Sequence, residues 1–426
     1  MKSSSFFSAA ALVALVALPL GAEPLAQRAV VRDALAQIAA REPETLNEQV
    51  RLCEIPAPPF EEAVRAGYYR AKFVELGLQD VRIDAVGNVL GVRPGKQPGP
   101  VVVFSAHLDT VFPAGTDTRV TREGTIMKAP GIADDCRGLA VVLAVIETMQ
   151  QSQINTAGTV IFVGTVGEEG LGDLRGVKHL FQQELAGQIT HFISIDGTDL
   201  GTNTSAVGSY RYRVTFNASG GHSFGAFGSV NPIHALGRAI AKIGEFIVPN
   251  EPKTTYNVGR IDGGTSVNSI PFSAMMEVDM RSVDAGELDK LDAQFHLAIA
   301  AAVEEENAFW NKHATGAAAR RTNKGIPLTA DVQRVGVRPT GRVDEKSPIL
   351  QAVLRADAAL GIKSRFEPGS TDSNIPISLG IPAVTMRGGG KSSGAHSLHE
   401  QFDSTDSHLG TQRAFLALLE IVGLVD

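Results

Sequence analysis

Three scarcities bound what this chain is able to be. Its 426 residues include only two cysteines, so no disulfide framework holds it together. Cys53 and Cys136 allow one bridge at most, and the acidic, glycine-flanked turn at Cys136 favours a free, half-buried thiol. Positive charge is not in excess, and a net charge of −7 argues against nucleic acid as the main partner. After the first two dozen residues no apolar run approaches the ~18 residues of a membrane span, so the mature chain needs no membrane. Internal repeats and long low-complexity segments are missing as well. What is present is ordinary globular composition, 43% hydrophobic and 20% charged. A chain of this length divides into roughly two to three domains.

The amino terminus stands apart. Lys2 is followed by serines, an apolar segment over 6–20, and the small pair Gly21-Ala22. That order is the n-region, h-region and cleavage site of a secretory signal, too short for a membrane span. Cleavage near Ala22 and export to a periplasm or beyond are expected, with an uncleaved anchor helix as the alternative.

From there strands and helices alternate. A helix is expected over 25–50, a proline-stiffened loop over 55–60 and a helix over 61–76. A hairpin turning at Gly87-Asn88 follows, then the apolar strand VVVF from Val101, a loop over 113–131 and a buried helix over 139–149. Strands over 159–166 and 191–196 flank a helix over 174–186. Near residue 208 the habit changes: YRYRVTF (210–216) alternates, so one of its faces is solvated. A helix over 231–247, strands over 254–261 and 274–281 and a helix over 286–306 complete a small α+β unit inserted in the larger one. A polar, basic excursion covers 310–328, and RVGVRP (334–339) reads as the way back. The remainder returns to α/β habit, with a helix over 347–360, a strand over 381–386 and a final helix after Thr405. The fold class is therefore α/β with a mixed sheet. Its segments are a signal (1–22), a first catalytic part (23–207), the insertion (208–335) and a second catalytic part (336–426).

Chemistry collects where the strands end. His107 and Asp109 lie two residues apart at the close of the 101 strand, a spacing that lets the carboxylate take the second N–H of the imidazole. Asp134 and Asp135 occupy a turn opening a helix, where the bland reading is capping. Glu168 and Glu169 follow a buried strand directly, and like charges there are costly without a cation. Asp196 closes the next strand, and His396, His399 and Glu400 follow a glycine run. Carboxyl ends of parallel strands are where open α/β sheets bind ligands. His107, Asp134, Glu169, Asp196 and His396 make two imidazoles and three carboxylates, a set suited to Zn²⁺, with Mn²⁺ and Co²⁺ less favoured. Five ligands exceed one open zinc site, whereas a carboxylate bridging two metals uses all five. Glu168 is then left as general base and acid.

HLDTV, the ADD turn, the Glu168-Glu169 pair, the late AHS..E and the inserted α+β unit resemble the M20 family of co-catalytic zinc peptidases and amidohydrolases. The resemblance spans the mature chain with its motifs in order. It implies a zinc-exopeptidase-like catalytic domain with a ferredoxin-like lid and dimerisation domain, two Zn²⁺ per subunit, and a homodimer through the lid. It makes Asp134 the bridging ligand, gives His107 and Asp196 to one metal, and gives Glu169 and His396 to the other. Asp109 then orients His107, Glu168 is the base and Asp135 caps; His399 is the rival of His396, but Glu400 lies at the family spacing from His396. His222 in SGGHSFG resembles the histidine that polarises the scissile carbonyl in a partner's site. Asn268, Arg281 and Gly389 match positions that hold substrate. Cys136 departs from the lysine of many relatives. The IDG at Asp196 and the stretch GSTDSNIP resemble the branch that cleaves di- and tripeptides. The reading is thus a secreted hydrolase of small peptides. An N-acyl amino acid amidohydrolase or carboxypeptidase is the alternative, and a catalytically silent metal- or peptide-binding relative a remote one. Specificity is expected in the loops 113–130 and 203–209; His179, His191, His234 and His313 are left as structural or surface residues.

Overall fold

The computed structural model describes residues 23–313 and 326–425. The expected signal and most of the 310–328 excursion lie outside the described residues. No described helix is long and apolar enough to cross a membrane.

The centre is a nine-stranded mixed sheet. Its order begins Gln79–Ile83, Val89–Arg93, Thr159–Thr165, Val101–His107, His191–Ile195, Ala383–Met386, Thr202–Ala206. The four strands from Thr159–Thr165 to Ala383–Met386 run parallel to one another. Continuous apolar runs suit them, because helices cover both faces: Val102, Val103, Phe104, Phe162, Val163, Phe192 and Ile193 are fully buried. The helices Cys136–Gln151, Pro348–Ala359 and His408–Val422 complete that core. Helix 25–50 is in fact two, Ala29–Ala40 and Glu42–Cys53, broken at Arg41. Pro43 explains the restart, since its missing N–H and fixed φ suit a first helical turn.

The insertion has its own sheet, ordered Thr254–Gly263, Ser273–Ser282, Gly208–Asn217, Thr329–Arg338, all antiparallel. With helices Pro232–Gly244 and Ala285–His313 this is a βαββαβ unit of ferredoxin-like order. Alternation divides its faces. Tyr212, Val214, Phe216, Met276, Val278 and Met280 are buried with both helices, while Arg211, Arg213, Asp279 and Arg281 take the opposite face. RVGVR is the last part of Thr329–Arg338 in this sheet, after which the chain rejoins the main sheet at Gly341–Arg342. The stretch 203–209 is not a loop: Thr202–Ala206 is a strand of the main sheet and Ser209 is buried in the inserted one.

Candidate metal centre and active site

Parallel strands ending together, with a turn and a loop beside them, bring six predicted side chains to one place. His107 closes its strand, Glu168 and Glu169 follow Thr159–Thr165, and Asp196 follows His191–Ile195. Asp134 comes from the turn before helix Cys136–Gln151, and His396 from the loop beyond Ala383–Met386. Asp134 lies between the imidazoles: Oδ1 is 3.0 Å from His107 Nε2 and Oδ2 is 3.1 Å from His396 Nε2. His396 Nε2 is also 3.1 Å from Glu169 Oε1. Ligand atoms of His107, Asp134 and Asp196 lie within 4.8 Å of one another, and so do those of Asp134, Glu169 and His396. Two three-residue groups thus share Asp134.

The electrostatics of this cluster call for cations. Burial pushes Glu169 up to about 7, with Asp134 adding to the shift. Burial, and again Asp134, push Asp196 well above the carboxylate range. Hydrogen bonds to Asp134 and Glu169 lift His396 to about 11. Burial opposes charge on His107, yet Asp134 and Asp135 outweigh it and hold its affinity for a proton well above the usual imidazole value. Glu169 and Asp196 are gathered here at the expense of their own ionisation, while the two imidazoles keep Asp134 ionised, so that protons stand where metal charge would. Donor set, burial and spacing fit two divalent ions.

Surrounding contacts hold the set in place. Asp135 caps its helix by accepting from Gly138 N at 3.0 Å, and its other oxygen accepts from His107 N at 3.2 Å. Glu400 accepts from Gly131 N, Ala133 N and Asp134 N at 2.9–3.1 Å, clasping the Asp134 turn. Asp109 acts differently from expectation. His107 Nδ1 is 3.0 Å from the backbone carbonyl of Asp109, and its carboxylate lies 3.8 Å away. The carboxylate instead accepts from Glu168 N at 3.0 Å and Glu169 N at 2.8 Å. The strand ends at His107, so two-residue alternation does not extend to Asp109.

A cleft of about 330 Å³ opens on the centre, lined by Asp134, Glu168, Glu169, Asp196 and His396 from the main sheet and by Arg211, Arg281 and Arg338 from the inserted one. Arg281 gives Nε to Asp279 at 2.7 Å, which leaves its Nη groups without a carboxylate partner among the described residues. His222 and Asn268 are not in this cleft. They lie together on the exposed Gly221–His222 and Ser269–Ile270 pairing, with His222 Nδ1 accepting from Phe224 N and Gly225 N at 3.2 Å. Gly389 is not there either. Its amide donates to Asp199 O at 2.9 Å, and a Cβ on it would stand 2.2 Å from Ser407 O. Its φ of +85° and this close packing give it a structural task. His399 joins no ligand group among the described residues.

Three residues escaped the sequence reading. Arg338 is buried against Glu168, with Nη1 to Oε1 at 3.0 Å. Arg211 shares Asp279 with Arg281. Asp372 accepts from Thr165 Oγ1 at 2.6 Å and is pushed up to about 7 by burial and by Glu168. Only Asp372 carried a signal, an acid amid the polar run GSTDSN. Cys53 and Cys136 are both free, and both are fully buried rather than half-buried.

Known proteins share this fold. The model of Peptidase family M20/M25/M40 matches residues 103–420. By sequence the chain is similar to YqjE of Bacillus subtilis, 24% identical over 359 residues that cover 81% of this chain and 90% of that protein. Its fold is similar to aminopeptidase PepT from Bacillus cereus, with a TM-score of 0.66 and 21% identity over 89% of this chain and 98% of that one. It is also similar to the dipeptidase Dug1p from Saccharomyces cerevisiae, with a TM-score of 0.71 and 15% identity over 92% and 98% of the two chains. The chain belongs to peptidase family M20/M25/M40 and is a metal-dependent peptidase or amidohydrolase.

Proposed function

We propose that the protein is an exported exopeptidase of di- and tripeptides that works with two zinc ions. The observation that carries this is Asp134 held between His107 and His396, with Glu168 at the rim of the same cleft. His107 and Asp196 would hold one ion, Glu169 and His396 the other, and Asp134 both. Ions bound there supply Lewis-acid polarisation of a carbonyl and a water of lowered proton affinity. Glu168 takes the proton of the attacking water and returns it to the departing amine. Asp109 fixes the backbone from which both glutamates project. In a homodimer through the inserted domain, His222 serves the partner's site. Its exposure supports this, together with that of its apolar neighbours Phe224, Val267 and Phe272. Export rests on the amino-terminal signal order.

A second reading is favoured by Arg281, whose fork faces the cleft as a carboxylate receptor. On that reading the enzyme is a carboxypeptidase or an N-acyl amino acid amidohydrolase. One assay separates the two: amine release from a free tripeptide, its N-acetylated form and its C-amidated form, with and without chelator. Loss of cleavage on N-acetylation supports the first reading; cleavage that survives acetylation and fails on amidation supports the second. Glu168→Gln is expected to keep metal and lose turnover, whereas Glu169→Gln loses metal as well. Normal turnover in Glu168→Gln would sink the mechanism.

A further inference from the structure

The three arginines of the cleft are not equivalent. Arg211 and Arg281 both bind Asp279 of their own sheet. Arg338 alone reaches an acid of the main sheet. It is the last residue of strand Thr329–Arg338 and is 3% exposed. Nη1 donates to Glu168 Oε1 at 3.0 Å, and Nη2 donates to the backbone carbonyl of Glu168. Nη1 also meets the carbonyl of Ser370 at 3.1 Å and its hydroxyl at 3.2 Å. Register sets this placement: Arg338 pairs with Ser209, and Ser209 pairs with Arg281 on the other side.

Consider what Glu168 would do without it. Glu169 is its neighbour in sequence, and Asp134 and Asp196 line the same cleft. Like charges on several sides push a flexible side chain away from the centre. Arg338 grips both ends of the residue, main chain and carboxylate, with one rigid fork, a task beyond a lysine's single ammonium. It engages Oε1 alone and leaves Oε2 for a proton from water.

We infer that Arg338 is a positioning residue for Glu168, fixing which oxygen meets the reacting water and tying that placement to the seating of the inserted domain. The inference rests on the reading of Glu168 as base.

The experiment compares metal-loaded wild type, Glu168→Gln, Arg338→Met and Arg338→Lys for kcat, KM and metal content. It adds thermal unfolding of the metal-free proteins and of the Arg338→Met/Glu168→Gln double variant. Arg338→Met is expected to lose about 10²-fold in kcat, the scale of a misplaced catalytic group, with metal content unchanged. KM should stay within about threefold, because no substrate contact is removed. Arg338→Lys should recover part of kcat, since it restores the charge without the fork. In unfolding, the Tm loss from Arg338→Met should shrink by about half or more when Glu168 is already Gln. Unchanged kcat in Arg338→Met overturns the proposal, and so does a raised KM at normal kcat, which would make Arg338 a substrate contact. Strictly additive Tm shifts overturn it as well, and that readout stands even if one variant loads metal poorly. Should Glu168→Gln turn over like wild type, the base reading fails, while the unfolding cycle still reports whether Arg338 holds Glu168.

Discussion

Glu400 offers the sharpest test of how the centre is built. It is 1% exposed, and its two oxygens satisfy three backbone amides of the turn that presents Asp134. Oε1 takes Ala133 N and Asp134 N, and Oε2 takes Gly131 N. Glutamine has nearly the same shape but one acceptor. In its better orientation it keeps the two bonds at Oε1 and turns an NH₂ toward Gly131 N–H, donor against donor. The loss is one hydrogen bond to a charged acceptor plus one buried amide left unpaired, about 2–4 kcal/mol together. For a catalytic domain of this size that is a fall in Tm of about 3–7 °C. The fall should appear in metal-free protein, because the clasped groups are main chain. The same loosening lets Asp134 drift from between the imidazoles, and metal affinity should drop about 10–100-fold. Differential scanning calorimetry with and without chelator gives the first quantity, and competition against a chromophoric chelator gives the second. Turnover at saturating metal should survive, since Glu400 does not line the cleft. A Glu400→Gln protein with unchanged Tm and unchanged metal affinity would refute the clasp. Lost turnover at full metal loading would place Glu400 in the chemistry instead.

Three further outcomes follow from the same geometry. Asp109→Asn keeps one of the two amides held by the carboxylate, at Glu168 N and Glu169 N, so kcat should fall about tenfold. Steady-state kinetics alongside metal analysis would show this, and unaltered values of both would deny the carboxylate its task. Metal loading should release two or more protons per chain near pH 7, because both imidazoles are held protonated by the surrounding acids, His396 up to about 11, and Asp196 and Glu169 are themselves pushed up. Affinity must therefore weaken as pH falls; calorimetry in two buffers of different ionisation enthalpy measures the release, and none at all would contradict the charge pattern. Cys53 and Cys136, both 0% exposed, should ignore a thiol-reactive chromophore in the native protein and give two equivalents once unfolded. Fast native labelling would refute their burial.

Much of this was legible because two simple rules hold in the main sheet. Buried parallel strands read as unbroken apolar runs, and groups that bind ligands follow their carboxyl ends. Val101–His107, Thr159–Thr165 and His191–Ile195 obey both, and His107, Glu169 and Asp196 could be picked out on that ground. The alternating run at 210–216 likewise announced a sheet with one apolar face. Failures came where a side chain's partner is chosen by tertiary register. Arg338 ends a strand whose neighbours, Ser209 and then Arg281, are distant in sequence, and nothing local distinguishes it from a solvated arginine. Asp109 was misjudged for the opposite reason: alternation holds only within a strand, and Asp109 lies two residues past the end of this one. Gly389 suggested ligand approach, but the crowding there comes from Ser407 and Gly410 of the last helix and its lead-in.

The acids around the centre sort themselves by what satisfies them. Asp109 has two backbone amides, Asp135 has His107 N and Gly138 N, and Glu400 has three amides. Asp372 has the hydroxyl of Thr165, and Glu168 has Arg338. Asp109, Asp135, Glu168 and Glu400 are held by protein donors and so suited to shaping the site, whereas one oxygen of Asp372 is buried with no described partner. Asp134, Glu169 and Asp196 differ. Asp134 and Glu169 meet only histidines through their side chains, and no described hydrogen bond reaches the carboxylate of Asp196. Asp134 is kept ionised by the two imidazoles, whereas the buried Glu169 and Asp196 are disfavoured as ions unless a cation supplies the missing charge. With His107 and His396 they make up the two three-residue groups that share Asp134. The division also explains why the acids are so many. Four build and orient the centre, and Glu169 and Asp196 are kept short of partners so that metal ions become the favoured ones.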